Sequence, residues 1–258
     1  MIGEAWTAII LAGQRPGVDP LAAHFGETCK ALVRISGEPM LTRVIRTVAE
    51  VPNIERRLIL AQMPEVLTDA VAHGGGGEMI ASQSGISASI LSLCETQSPW
   101  PVLVTTADHP LLTADMIGHF LEQAQNCDVA IAMVERDVVR GAYPDNQRTW
   151  LKFRDGHWSG ANLFALRTPK AENALRLWAE AEQDRKQAWK LFLHFGPWLA
   201  FRALTRTIGL AEGLVQAGNR LGLSVKLVAM PWAEAAIDVD KPSDHILAET
   251  ILAARAAD

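Results

Sequence analysis

Four places in the sequence hold side chains whose types and spacing suit phosphate or metal chemistry. The first is the loop Leu11-Ala12-Gly13-Gln14-Arg15-Pro16-Gly17, closed by Lys30. Glycines let backbone N–H groups approach an anion closely. Arg15 and Lys30 can add charge-assisted bonds to phosphate oxygens. The loop matches neither the Walker A pattern nor the glycine fingerprint of dinucleotide-binding turns, and an ordinary βα loop with two cations would read the same way. The second place is Asp108, directly after the apolar run Val102 to Thr106 and before His109-Pro110. A carboxylate at a strand end suits Mg²⁺, which takes one or two carboxylates plus substrate phosphates. The plainer alternative is a turn or cap aspartate, although Asp115 lies nearer the start of the next helix. His109 reads as a turn residue rather than a ligand.

The third place is Asp238-Val239-Asp240-Lys241-Pro242. Two carboxylates bracket one residue, so on an extended strand both face the same side. One could join Asp108 on a metal; the alternative is a strand end with Asp240 or Ser243 capping the final helix. The fourth place, Ser84-Gly85-Ile86-Ser87-Ala88-Ser89, is a Gly/Ser turn into a helix. It offers hydroxyl and N–H groups to a base, ribose or phosphate, or simply caps that helix.

The elements that must position these groups follow from the apolar pattern. Unbroken β-rich runs predict buried strands at Thr7 to Leu11, Ala31 to Ile35, Arg57 to Gln62, Met79 to Ser82, Val102 to Thr106 and Asp128 to Val134. Helices are expected at Met40 to Glu50, after Pro64, at Ser87 to Glu95 and at Ala114 to Ala124. This alternation predicts an α/β fold with a mostly parallel, twisted sheet and helices on both faces. Ligands in such sheets bind at the carboxyl ends of the strands, which points at Gly13 to Lys30, Ser84 to Ser89 and Asp108. Further on, Thr149 to Arg154 and Asn162 to Leu166 read as strands joined through Asp155-Gly156. A helical insertion, 169–221, breaks at Gly196-Pro197 and near Gly209. Strands at Ser224 to Met230 and Ala235 to Val239 precede a last helix opened by Pro242. The expectation is one domain, 1–258, with a nucleotide-binding half (1–135) and an acceptor-side half (136–258).

Composition narrows the function classes. Hydrophobic residues make up 49% and charged residues 21% of the 258, a globular balance. The net charge, 24 − 29 = −5, leaves no domain-wide basic field for nucleic acid. Three cysteines, Cys29, Cys94 and Cys127, form no close pair, which fits a reducing compartment. Met1 to Ala8 lacks a basic leader and the apolar run Ala8 to Ala12 is short for a signal peptide; the expected location is the cytoplasm. No apolar stretch is long enough to span a bilayer. An aromatic stripe, Trp189, Phe192, Phe195, Trp198 and Phe201 rimmed by Lys190, Arg202 and Arg206, reads either as core against the sheet or as a contact surface, a homodimer being favoured over a membrane.

Taken in order, these segments resemble the MobA-like NTP-transferase family, which includes small-phosphate cytidylyltransferases and molybdenum-cofactor guanylyltransferases. The carrying residues are Leu11-Ala12-Gly13-Gln14-Arg15, Cys29-Lys30-Ala31-Leu32, Gly37-Glu38-Pro39-Met40, Thr106-Ala107-Asp108-His109-Pro110, Ser159-Gly160-Ala161-Asn162-Leu163-Phe164 and Asp238-Val239-Asp240-Lys241-Pro242-Ser243-Asp244. The resemblance implies transfer of a nucleotidyl group, CMP from CTP first and GMP from GTP second, to a small phosphorylated acceptor with release of pyrophosphate. A polyol phosphate or a phosphoglycerate-like head-group precursor would serve as acceptor. It further implies Mg²⁺ on Asp108 and Asp240, with Asp238 as runner-up, and Arg15 and Lys30 as catalytic cations. Leu11, Ala12, Gly13, Gln14, Gly85, Ser87 and Ser89 would hold the nucleotide, and Gly160 and Asn162 would face the acceptor. Two other classes stay open: a glycosyltransferase of the related GT-A fold, using Asp238-Val239-Asp240 as its metal motif, and a non-catalytic nucleotide-binding protein.

Overall fold

A computed structural model of the chain describes residues 4–13, 17–82, 85–146, 148–183 and 195–257. The contacts gather into two compact units, one formed by 1–82, 103–119 and 237–258 and the other by 83–102 and 120–236.

In the first unit, β1 (Trp6–Leu11) is joined by β4 (Ile54–Ala61), β5 (Glu78–Ala81) and β6 (Val102–Thr106), in the spatial order β6-β1-β4-β5. Pairing is parallel between β1 and β4 and between β4 and β5. A short ribbon, β2 (Arg34–Ile35) and β3 (Glu38–Pro39), turns through Ser36 and Gly37 at φ of 52° and 79°, the left-handed pair that a tight hairpin needs. It leads into α2 (Met40–Ala49), whose Met40, Leu41, Val44, Ile45 and Val48 are buried at helical spacing. Each such side chain contributes roughly 1.5–3 kcal/mol by leaving water. Residues 64–67 form a 3-10 turn before α3 (Thr68–His73), so the helix expected from Pro64 begins about a turn late. The closing helix, which we number α10 (Pro242–Ala257), starts at its proline as expected.

Two features of this unit differ from the sequence expectation. The 13–30 loop contains a helix, α1 (Pro20–Phe25), capped by Asp19, whose Oδ1 accepts from the N–H groups of Leu21 and Ala22 at 2.9 Å. The expected strand at 31–35 begins instead as a 3-10 turn, Lys30–Leu32.

The second unit carries α4 (Ile86–Gln97), β7 (Val129–Glu135), α6 (Arg136–Ala142), β8 (Leu151–Phe153), β9 (Gly156–Leu166), α7 (Glu172–Gln183), α8 (Pro197–Leu204), α9 (Leu210–Arg220) and β10 (Val225–Ala229). α5 (Ala114–Gln123) follows β6 in the chain. β10 pairs parallel with β7, β7 antiparallel with β9, and β8 antiparallel with β9 through a turn at Arg154-Asp155, one residue before the expected Asp155-Gly156, because Gly156 already pairs with Phe153. The fold is α/β, with a mostly parallel sheet and flanking helices. Gly196 and Gly209 are the N-caps of α8 and α9. Trp189 and Phe192 lie outside the described residues. Trp198 and Phe201 stack with ring centroids 5.8 Å apart and are 67% and 54% exposed. The buried residue of α8 is Leu199, so these two aromatics are not core.

Asp128 ties three strands of this unit together. Its Oδ1 accepts from Thr168 Oγ1 at 2.6 Å, and its Oδ2 accepts from Ser224 N and Oγ at 2.8 Å. Burial alone would raise this carboxyl's pKa, but the hydrogen bonds from Thr168 and Ser224 outweigh it and hold it below the usual range. Depression of the folded-state pKa means that the stabilisation is present above the ordinary carboxylate range and is lost as pH falls through the folded value. Asp128→Ala is expected to cost about 2 kcal/mol at neutral pH. Urea unfolding of both proteins should show that gap closing on acidification; a pH-independent gap would contradict this role.

Candidate active site

β6 is an apolar strand buried from Val102 to Thr105. It delivers Asp108 at its carboxyl end, where Ala107 N still donates to Leu11 O at 2.9 Å. His109 is buried within the following turn. Residues 237–240 lie against this strand end because Val239 N donates to the backbone oxygen of Asp108 at 2.9 Å. They are not the end of a strand: the alanine-rich segment Ala233–Ala236 forms a 3-10 turn and 237–240 runs on irregularly. The face shared by Asp238 and Asp240 therefore does not come from β pleating. Asp240 N donates to Asp244 Oδ2 at 3.2 Å, a brace that sequence reasoning missed. The signal was present as an acidic residue three positions into a helix opened by proline.

Three distant segments converge here. Lys30 Nζ donates to Asp108 Oδ2 at 2.5 Å and also to Asp240 Oδ1. Asp108, Asp238 and Asp240 each offer a carboxylate oxygen, all within 4.8 Å of one another. Burial would lower the Lys30 pKa, but the charges and hydrogen bonds of Asp108 and Asp240 override it and push the ammonium well above its ordinary value. One cation among three carboxylates leaves a local excess of negative charge. Asp108 Oδ1 is buried without a hydrogen-bond partner among the described residues. A buried carboxylate oxygen of this kind is costly unless something electropositive meets it. An all-oxygen donor set with surplus negative charge fits a hard divalent cation such as Mg²⁺.

The remaining expected residues are placed as follows. Leu11 ends β1, and Ala12 N donates to Leu60 O at 2.9 Å, which removes that N–H from the donors open to a ligand. Gly13 follows, and a Cβ there would come within 2.8 Å of the Gln62 side chain. Gln14, Arg15 and Ser84 lie outside the described residues. Gly85 is the N-cap of α4 and has no side-chain hydrogen bond in that role. Ser87 and Ser89 are buried, and Ser89 Oγ donates to Gly85 O at 2.7 Å, so neither side chain lies on the surface. Gly160 has open space where a Cβ would stand. Asn162 holds φ of 50° within β9, a left-handed conformation that is rare for a non-glycine residue inside a strand. Gly85, Ser87, Ser89, Gly160 and Asn162 all belong to the second unit. The cysteines are all buried and unpaired. Burial raises each thiol's pKa, that of Cys94 to about 12, so none is poised as a nucleophile.

No helix among the described residues is long and apolar enough to cross a membrane. The chain is similar to a 2-C-methyl-D-erythritol 4-phosphate cytidylyltransferase of Symbiobacterium thermophilum, 29% identical over 129 residues, or 46% of this chain. It spans about half the length of that relative, 52%. A solved structure described as a hypothetical transferase from Thermus thermophilus superposes with TM-score 0.78 at 25% identity, covering 93% of this chain and 99% of that one. The fold is also shared with a CMP:2-keto-3-deoxy-manno-octonic acid synthetase complexed with CTP, with TM-score 0.60, 13% identity, and coverage of 98% and 100%. A 4-diphosphocytidyl-2C-methyl-D-erythritol synthase from Anaerococcus prevotii shares it too, with TM-score 0.58, 12% identity, and coverage of 97% and 96%. Residues 8–197 match the model of the MobA-like NTP transferase domain, well over half of the 258 residues, and the chain belongs to that family.

Proposed function

We propose that the chain is a cytidylyltransferase that moves CMP from CTP to a small phosphorylated acceptor and releases pyrophosphate. The observation that carries this reading is the Lys30–Asp108–Asp240 cluster at the end of β6, in a chain of NTP-transferase family. The choice of CTP leans on the cytidylyltransferase relative; the family model's description names no particular NTP, and GTP is the second choice.

An acceptor phosphate oxygen attacks the α-phosphorus of the NTP, and the α–β bridging bond breaks, its electron pair leaving on pyrophosphate. The acceptor is already an anion, so no protein nucleophile is needed. The protein's task is to align two mutually repelling anions and stabilise charge as it develops. Asp108 and Asp240, with Asp238 beside them, would hold Mg²⁺, which when bound offsets the charge of the triphosphate and the departing pyrophosphate. Lys30, protonated, would face the reacting phosphates, and Arg15 would add a second charge. Asn162 and Gly160 would contact the acceptor.

Asp240→Asn is expected to cost more activity than Asp238→Asn. Asp240 contacts Lys30 directly and is braced by Asp244. Parallel kinetics decide it, and a larger loss for Asp238→Asn would reverse the assignment. The reading as a whole is tested by a pyrophosphate-release screen with Mg²⁺, pairing the four ribonucleoside triphosphates with a panel of small phosphates. Acceptor-dependent release with CTP supports it. Release with GTP alone would favour a guanylyltransferase, a product formed from a nucleotide sugar would favour a glycosyltransferase, and binding without turnover would favour a nucleotide sensor.

A further inference from the structure

Apart from the carboxylate cluster, the first unit contains a cavity of about 390 Å³ lined by α2, the 110–114 turn and the last turns of α10. Arg43, Arg46 and Arg255 face it together with Glu38 and Glu50. That is three cations against two carboxylates, in a chain whose net charge is −5. Glu38 is committed to Arg46, with contacts of 2.9 and 2.5 Å, and reaches Arg43 only at 3.5 Å. The Arg43 Nε–H is buried and has no acceptor among the described residues. A buried guanidinium N–H without an acceptor is costly. The exposed part of the Arg43 side chain lies beyond this Nε, and its terminal N–H pair forms a planar fork that matches two oxygens of a tetrahedral oxyanion. Arg255 arrives from a different helix and donates to Leu111 O at 3.1 Å.

We propose that this cavity is a second anion site, taking a tetrahedral dianion of the phosphate class and distinct from the Lys30–Asp108–Asp240 cluster. Arg43 supplies the fork, and Arg46 and Arg255 supply charge from either wall. The site borders the turn that follows Asp108. Arg255 holds the carbonyl of Leu111, and Thr47 Oγ1 donates to that of Leu112 at 3.3 Å. An anion drawing on Arg255 would therefore act on the segment that presents Asp108. The proposal does not depend on nucleotidyl transfer.

Calorimetric titration of the full chain with inorganic sulfate, and separately with inorganic phosphate, tests it in the presence of EDTA, with no reaction under way. Saturable binding is expected for the unmodified protein and for Lys30→Ala alike. Arg43→Gln and Arg255→Gln should each weaken it by about tenfold or more. Arg43→Lys keeps the charge but loses the fork and should fall between. Since Arg255 also holds the Leu111 carbonyl, the Arg43 variants decide if Arg255→Gln fails to fold. No saturable binding by the unmodified protein, equal binding by Arg43→Gln, or loss of binding in Lys30→Ala overturns the proposal.

Discussion

Asp108→Ala is expected to lower kcat by about a thousandfold or more, equivalent to about 4 kcal/mol of transition-state stabilisation. The carboxylate sits at the carboxyl end of a buried strand, with one oxygen on Lys30 and the other buried without a hydrogen-bond partner among the described residues. Both oxygens are thus set for electrostatic work. The fold should survive, because Asp108 receives Val239 N through its backbone oxygen, which the substitution keeps. Steady-state kinetics with a parallel thermal melt checks this. Near-normal kcat at modest Mg²⁺ would contradict the metal assignment, and a collapsed melt would make Asp108 a structural residue.

Lys30→Ala should lower kcat by about a hundredfold to a thousandfold while weakening NTP binding far less. Positive charge aimed at a reacting phosphoryl group acts most strongly as charge develops there. The raised pKa of Lys30, imposed by Asp108 and Asp240 against the effect of burial, has a definite sign. The ammonium stays protonated through the neutral range and up to about pH 10, the ordinary lysine region. A raised KM with unchanged kcat would make Lys30 a ground-state contact instead.

The parts of the fold that could be read from sequence are those governed by local pattern. β1 and β6 are short, unbroken apolar runs; α2 and α5 show helical apolar spacing; α10 opens on its proline. The pattern misleads where polar composition reads as irregular chain but the backbone is helical. α1 lies in the 13–30 loop, yet its Asp19-Pro20 start is a cap followed by a first-turn proline, a signal of helix initiation that polarity obscured. α6, which directly follows β7, was hidden in the same way. Residues 235–239 read as a strand through Ile237 and Val239, but the run of alanines before them winds into a 3-10 turn. The site itself was only half legible. Residue type nominated Lys30, Asp108 and Asp240 one at a time. Their convergence spans separations of 78 and 210 residues, which no local spacing encodes, and family resemblance supplied it. The bracing by Asp244 and the burial of Ser87 depend on backbone paths that composition does not reveal.

The central claim is that the Lys30–Asp108–Asp240 cluster supports transfer of a nucleotidyl group onto a phosphate. The most direct measurement follows CTP labelled at its α-phosphate, incubated with Mg²⁺ and the acceptor that scores highest for pyrophosphate release. The account predicts that label moves to the acceptor in step with pyrophosphate, that chelation of the metal stops it, and that Asp108→Ala does not support it. Label recovered only as free CMP, or transfer undiminished in Asp108→Ala, would contradict it.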